Sequence, residues 1–394
     1  MIRNWQNFFV VSEKKPKILT IIKIFAKIFG RFFASRDTVA LVLHPNKPLG
    51  CNIEALLCAV LDNDKCKKIY ILNFARIHAS VFDEEGYSKH PKITIINSHD
   101  FLLLTRCLLK CQKFIVGDAS DYNLPGKKIN VWHGVPLKNI GTFQNPKNKK
   151  FGKKFDNVLS AQSKMDKTTM SVAFNLPMER VLDFGLPRHD WLMGTIKKPQ
   201  RYLGSTQLIQ SKLNNRKLML YAPTFRDEDR NGFPLSPEQL VQWAQVLERH
   251  NWVLGIRAHV VSRPNIEQCQ SNILSLSGEE FNHGEAVLEC SDVLVTDYSS
   301  ICLDFSLLDR PILGLDVSFA PYSRGFLLDF DTLFPGQFYR DFPAFLKKVE
   351  QIIVDERARK ISSKAVMAKK LFLGGYHGDA SKKLVEFLFP DKAD

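Results

Sequence analysis

Apolar positions follow two rhythms along this chain. In residues 17–36, KILTIIKIFAKIFGRFFASR, the apolar residues Ile18, Ile21, Ile22, Phe25, Ile28, Phe29 and Phe32 recur in steps of three and one, while Lys23, Lys27 and Arg31 fall on the opposite face. That spacing predicts an amphipathic α-helix. It carries too many lysines for a transmembrane span, which needs about 20 mostly uncharged residues. From Asp37 onward, short continuous apolar runs alternate with helical stretches.

The runs at 38–43, 68–72, 93–96, 114–116, 129–132, 157–160 and 181–184 predict buried strands, with helices at 53–61 and 101–111 between them. The polar stretch 197–215 reads as the approach to a second domain. There the rhythm repeats, with strands at 218–221, 253–256, 293–295 and 311–315 and helices at 237–250 and 284–290. Helices at 342–354, 358–373 and 380–389 close the chain. Strand–helix repeats of this length imply α/β architecture with parallel, doubly wound sheets. The expected division is a leader over 1–36, a Rossmann-like domain over 37–205 and a second over 206–394. The 394 residues suffice for two ordinary cores.

Charge sharpens the reading of the leader. The net charge is +14, and residues 1–36 hold eight basic residues and one acid, so half of the excess lies there. An anionic membrane surface is the partner that such a helix fits best, with Trp5, Phe8 and Phe9 as further interfacial anchors. Packing of the greasy face on the protein itself is the plainer alternative. No nucleic-acid motif accompanies the charge, so nucleic acid is not an expected partner. The leader has no cleavable signal pattern. The eight cysteines form no CxxC pair and several sit in apolar runs, as reduced core cysteines do.

Candidate chemistry gathers at predicted strand ends, where open parallel sheets collect ligands. In SDVLVTDYSS the strand Val293–Val295 runs into a polar turn, Thr296, Asp297 and Tyr298, and meets a helix opening on Ser299 and Ser300. Unpaired N–H groups and two hydroxyls make a seat for phosphate there; an ordinary helix cap is the plain alternative. In VWHGVPLK, Gly134 turns the chain after His133 and Pro136 suits the first turn of a helix. His133 thereby stands at the rim, and imidazole is suited to take a proton near neutral pH. Arg226, Arg257 and His259 end further strands of the second half, and arginine binds phosphate well. The basic loop 146–154 reads as solvated surface or a contact to anionic groups. With no GxGxxG and no GxxxxGK[ST], neither a dinucleotide oxidoreductase nor a P-loop NTPase is indicated. The residues point to a transferase that uses a nucleotide-diphosphate donor.

VWHGVPLK, GLPRHDWL, YAPTFRD, RAH and SDVLVTDYSS…DF…RPI, in that order, resemble the CDP-glycerol glycerophosphotransferase family, the primases and polymerases of teichoic acid and their capsule-building relatives. The resemblance runs from about Val131 to the C-terminus. It implies a GT-B-like fold, two Rossmann-like domains facing across a cleft, at the cytoplasmic face of the membrane. The implied reaction moves glycerol phosphate from CDP-glycerol to a hydroxyl of a lipid-linked or growing surface polymer and releases CMP. The family's two functional histidines match His133 and His259, and its serine pair and following aspartate match Ser299, Ser300 and Asp304. Arg226, Arg257, Thr296 and Ser381 are the remaining implied substrate contacts. The acceptor would be a polyprenyl-diphosphate-linked glycan or a polyol phosphate. The chain departs from the family pattern at Val260, at Gln337 and in His377-Gly378-Asp379-Ala380-Ser381. Those departures leave the polyol open between glycerol and ribitol.

On this resemblance His133 is the general base, and His259, Arg257 and the Ser299–Ser300 turn steady the phosphoryl charge. Asp304 lies about one helical turn beyond the serines and faces the same side. No resident cofactor is implied; a loosely held Mg²⁺ on the donor's diphosphate stays open. The rival readings are a GT-B sugar transferase and a non-enzymatic basic binding protein.

Overall fold

The computed structural model describes residues 33–391 apart from 45–48, 98, 119, 121–123, 148–151, 153, 225–232, 259–271, 318–324 and 328. The amphipathic helix expected in the leader, most of the basic loop, Arg226 and His259 thus lie outside the described residues.

Two compact units are present. One takes in the described residues up to Gly134, Ile140–Gln200 and those from Tyr376 on; the other takes in Val135–Asn139 and Arg201–Gly375. The chain runs through β1 (Thr38–Val42), α1 (Cys51–Leu61), β2 (Lys68–Leu72), α2 (Ala79–Glu84), β3 (Ile93–Ile96), α3 (Phe101–Lys110), β4 (Lys113–Val116), β5 (Lys127–Asn130), β6 (Asn157–Leu159), α4 (Lys164–Phe174), β7 (Val181–Leu182), α5 (Pro187–Leu192) and α6 (Gln200–Leu213). It continues through β8 (Lys217–Ala222), α7 (Pro237–Glu248), β9 (Trp252–Ile256), β10 (Ile273–Ser275), α8 (Gly284–Cys290), β11 (Val293–Thr296), α9 (Ile301–Ser306), β12 (Ile312–Leu315), α10 (Phe330–Leu333), β13 (Gln337–Tyr339), α11 (Phe342–Val354), α12 (Ser363–Leu373) and α13 (Ala380–Leu388).

The first unit's seven-stranded sheet has the order β3-β2-β1-β4-β5-β6-β7, and the second unit's six-stranded sheet the order β10-β9-β8-β11-β12-β13. Their paired strands are parallel, as at Thr38↔Lys68 and Val293↔Met219. In each sheet the order reverses beside the first strand of the unit, between β1 and β4 and between β8 and β11. This is the Rossmann arrangement, in which the carboxyl ends at the reversal form the binding crevice. The strands read as continuous apolar runs because both faces are covered. Val42, Leu72 and Val116 face one core of the first unit, while Leu41, Ile71 and Ile115 face the other. The core of the second unit lies between its sheet and α7 and α11, around Trp243, Phe345 and Val349.

Three expectations change. The polar stretch 197–215 contains helix α6, whose Tyr202, Ile209 and Leu213 are buried; its sparse apolar stripe is hidden in a mostly polar run. The strand expected through Trp132 stops at Asn130, because Trp132 has φ 48°, a left-handed conformation that leaves the ladder. The last helix does not close the second domain. Leu384, Val385 and Leu388 of α13 pack into the first unit's core with Leu56 and Leu57 of α1. An amphipathic helix docks where its apolar stripe finds cover, and chain order does not dictate that place.

Candidate functional site

Each unit has furnished its reversal point differently. In the first unit, the chain leaves β1 toward His44 and β4 into Gly117-Asp118, and a cavity there is lined by His44, Cys51, Asn52, Asp118, Trp132 and His133, among others. A buried polar lattice holds its wall. Asn52 Nδ2 donates to the carbonyls of Val131 and Trp132, both at 3.0 Å. Asn130 Oδ1 accepts from the Trp132 amide at 2.8 Å, and Asn130 Nδ2 donates to the Asp118 carbonyl at 2.8 Å. These bonds repay the burial of two amides and hold Trp132 in its left-handed turn. The next residue, His133, is thereby turned out of the sheet and exposed. Its Nδ1 lies 3.3 Å from the Gly117 carbonyl, and its ring lies over Trp132 with centroids 4.1 Å apart. A carbonyl only accepts, so Nδ1 carries the proton and Nε2 is left as the basic nitrogen.

The GLPRHDWL stretch is the brace behind this wall. On α5, Arg188 Nη1 donates to the His133 carbonyl at 2.7 Å and to Cys51 Sγ at 3.3 Å, while the Arg188 amide donates to Asn52 Oδ1 at 3.1 Å. Two residues on, Asp190 takes hold of the chain's end. Its Oδ1 accepts from Tyr376 Oη at 2.5 Å and the Ala380 amide at 3.2 Å, and its Oδ2 from the Ser381 amide at 2.6 Å. A carboxylate at the first turn of α13 satisfies amides that a helix start leaves unpaired. Burial and the Asp190 charge push the Tyr376 phenol pKa upward, so the phenol remains a donor.

This arrangement relocates Ser381. It was expected among the substrate contacts of the second domain, but it belongs to the first unit, is fully buried and gives its amide to Asp190. The cause is the same return of α13 to the first unit.

In the second unit, β8 leads into Pro223-Thr224, β9 into Arg257, and β11 ends at Thr296 and leads into Asp297. Thr296 Oγ1 donates to the Ala222 carbonyl at 2.6 Å within the sheet, where the side chain is fully buried. Asp297 Oδ1 accepts the Thr224 amide at 2.7 Å. Tyr298 is fixed at its tip: Oη donates to Asp316 Oδ2 at 2.7 Å and accepts from Arg340 Nη1 at 3.2 Å. Burial and the Asp316 bond raise its pKa to about 12. Its ring packs on Phe326 and Phe330, each at 5.1 Å between centroids. Ser299 and Ser300 follow this fixed tyrosine and are only half-buried. Ser300 is the residue before α9, with no side-chain cap bond, and Ser299 Oγ accepts the Ile301 amide at 3.4 Å. Helix α9 has six residues, so the hydroxyls and the first amides count for more here than a helix dipole. Asp304 is buried in its first turn.

Arg257 Nη1 donates to the carbonyls of Leu276 and Phe281, both at 2.9 Å. Burial lowers its pKa and Glu285 counteracts this, so the guanidinium braces the loop before α8. Thr296, Ser299, Ser300, Asp304 and Arg257 thus share one unit, at its sheet's carboxyl end. The residues missed in the sequence are the ones doing the holding: Asn52, Asn130, Arg188, Asp190 and Asp297. Arg188 and Asp190 stand in GLPRHDWL and Asp297 in SDVLVTDYSS, so a place in a motif was their signal, whereas Asn52 and Asn130 carried none. Among the described residues no three His, Cys, Asp or Glu side chains converge as metal ligands, and the seven described cysteines form no disulfide.

A sequence model of the family described as CDP-Glycerol:Poly(glycerophosphate) glycerophosphotransferase matches residues 24–390. The chain belongs to that family. The glycerophosphotransferase class expected from its motifs is the family's own. Among its relatives, the teichoic acid glycerol-phosphate transferase of Staphylococcus aureus (strain NCTC 8325 / PS 47) is 26% identical, over 66% of this chain and 70% of that protein. The teichoic acid poly(glycerol phosphate) polymerase of Bacillus subtilis (strain 168) is 24% identical; the match covers 96% of this chain and 52% of the polymerase, so the chain spans about half its length. The structure of the wall teichoic acid polymerase TagF superposes with a TM-score of 0.73 at 17% identity, covering 95% of this chain and 94% of the other. That likeness establishes the GT-B-like fold class, with two parallel-sheet Rossmann-like domains, expected for this glycerophosphotransferase.

Proposed function

We propose that this glycerophosphotransferase moves glycerol phosphate from CDP-glycerol to a hydroxyl of a lipid-linked or growing surface polymer of the teichoic acid or capsule kind. The observation that carries this reading is the exposed His133, braced by Arg188 and standing at the first unit's binding crevice with Nε2 as its basic nitrogen. The acceptor oxygen bonds to the β-phosphorus of the donor. The bond from that phosphorus to the oxygen of CMP breaks, and the acceptor proton passes to His133 Nε2. Developing charge on the phosphoryl oxygens calls for donors already in place. Ser299 and Ser300 supply them in this reading, with His259 and Arg226 as further contacts named by the motifs and Asp304 orienting the seat. Arg257 acts by fixing the loop, and a metal, where one takes part, enters as Mg²⁺ on the donor's diphosphate.

The cytoplasmic face of the membrane is the proposed working place, with the basic leader on anionic lipid. No described helix is long and apolar enough to cross a membrane. The test is nucleotide release from CDP-glycerol, CDP-ribitol and UDP-sugars with membrane lipid acceptors. CMP from CDP-glycerol is expected. CMP from CDP-ribitol alone would change the polyol, and a nucleoside diphosphate from a sugar donor would overturn the reading.

A further inference from the structure

The Tyr298 hydroxyl ties together the ends of neighbouring strands in the second unit. Tyr298 stands in the turn after β11, Asp316 follows β12 and Arg340 follows β13, and these strands lie side by side in the sheet. A guanidinium only donates, so Oη accepts from Arg340 Nη1 at 3.2 Å and its own proton goes to Asp316 Oδ2 at 2.7 Å. The Asp316 amide donates to the Tyr339 carbonyl at 3.0 Å and ties the end of β12 to the end of β13. Around the ring, Phe326, Phe330 and Phe338 lie with centroids 5.1, 5.1 and 5.7 Å away. Apolar burial holds a ring in place but is non-directional, so the two bonds at the tip fix where the ring points. Arg340 is itself held. Its Nη2 meets both carboxylate oxygens of Asp331, on α10, at 3.1 and 3.0 Å, and its guanidinium carbon lies 5.1 Å from the Phe338 centroid. The side chains of that ion pair are 57% and 63% exposed. An exposed pair adds little stability. What it fixes is the place of the guanidinium, and with it the Tyr298 tip.

Ser299 is the next residue after Tyr298, and Ser300 makes no side-chain cap bond of its own. We propose that Arg340 is a positioning residue for the donor: through the Tyr298 hydroxyl it sets where Ser299 and Ser300 stand, and thereby how tightly the donor phosphate is held. Asp331 acts one step further back, by aiming the guanidinium. The inference rests on the serine seat of the transferase reading above.

The experiment uses the full chain, CDP-glycerol and a short glycerol phosphate oligomer as acceptor. Arg340→Ala is expected to raise the donor KM about fivefold, the worth of one hydrogen bond, while the acceptor KM and the urea midpoint hold. Arg340→Lys, which keeps the charge and loses the planar fork, recovers part of the donor affinity. Asp331→Asn leaves Arg340 present but poorly aimed and is expected to raise the donor KM about twofold. An arginine that touched the donor itself would be released by that change and would bind it as well or better. Tyr298→Phe keeps the ring and removes the relay, so adding Arg340→Ala to it should leave the donor KM where Tyr298→Phe alone puts it. Should Tyr298→Phe fail to fold, Asp331→Asn decides between relay and direct contact. The assignment is overturned by a donor KM that holds in Arg340→Ala, that does not rise in Asp331→Asn, or that shows the full Arg340→Ala effect in the Tyr298→Phe background. Ser300→Ala, measured alongside, separates the two readings. A raised donor KM there with none in Arg340→Ala strikes Arg340 alone, whereas an unchanged donor KM in Ser300→Ala strikes the serine seat and the assignment with it. Absence of CMP in the wild type overturns the transferase reading and, again, the assignment.

Discussion

The two sheet reversals share a topology and differ in what stands on them. In the first unit the polar lattice of Asn52, Asn130 and Arg188 is sealed below the surface, and it ends in imidazoles on a cavity wall. In the second, the strand-end groups Thr296, Asp297 and Tyr298 bond to Ala222, Thr224 and Asp316 at the ends of neighbouring strands, and the half-buried side chains that follow are two serines. In the proposed reading one crevice takes a proton and the other receives phosphate oxygens. A fold places a crevice; the side chains at a few strand ends decide its chemistry.

The largest expected effect tests that split. His133→Ala should lower kcat by about two to four decades, the range for loss of a general base, with little change in CDP-glycerol affinity. Turnover in single-turnover assays and donor binding by calorimetry read the two terms separately. Unchanged turnover would remove the proton-taking role from the first unit. A donor affinity that collapses with kcat would show that the units do not divide the work in this way.

The strands were legible because both faces of a parallel sheet are covered, so each strand is an unbroken apolar run, such as VALV in β1 or VLV in β11. Helix α6 was not, since three buried residues in a polar stretch leave a faint stripe. The return of α13 to the first unit was also hidden. Leu384, Val385 and Leu388 announce an apolar face, but nothing in the local pattern names the surface that covers it. Among candidate site residues, His133 and the Ser299–Ser300 pair stood out as chemistry at strand ends, whereas the asparagines beneath His133 look like any polar residue until their carbonyl partners are known. Ser381 misled for the same reason as α13: its place was inferred from its position in the chain.

A second expected effect concerns stability, and it belongs to the first unit alone. Asp166, in the first turn of α4, is buried with Oδ2 accepting the Ala161 amide at 2.7 Å. Desolvation, helped by the Asp183 charge and opposed by that amide, raises its pKa to about 7. An unfolded Asp titrates near 3.9. Between about pH 4 and 7 the folded chain therefore binds more protons than the unfolded one, and stability falls as pH rises through that window before levelling above it. The loss is about 2–4 kcal/mol. Asp166→Asn should flatten this slope, read from urea midpoints at pH 4.5 and 7.5. An unaltered slope in the variant would assign the pH dependence to other groups, Asp183 first among them.

The smallest effect sharpens the second unit's side of the comparison. Thr296 and Ser300 are four residues apart and both were expected to touch the donor. The Thr296 hydroxyl is closed into the sheet by its 2.6 Å bond to the Ala222 carbonyl, whereas Ser300 is half-buried and makes no side-chain cap bond. Thr296→Val keeps the shape, removes one neutral hydrogen bond and should cost about 1 kcal/mol of stability. Its donor KM should stay near the wild-type value. Ser300→Ala should do the reverse, leaving the denaturation midpoint in place and raising the donor KM severalfold. If Thr296→Val raised the donor KM as much as Ser300→Ala, the phosphate seat would have to extend into the strand, and the boundary drawn here between the buried strand end and the serine turn would move back by one turn of the chain.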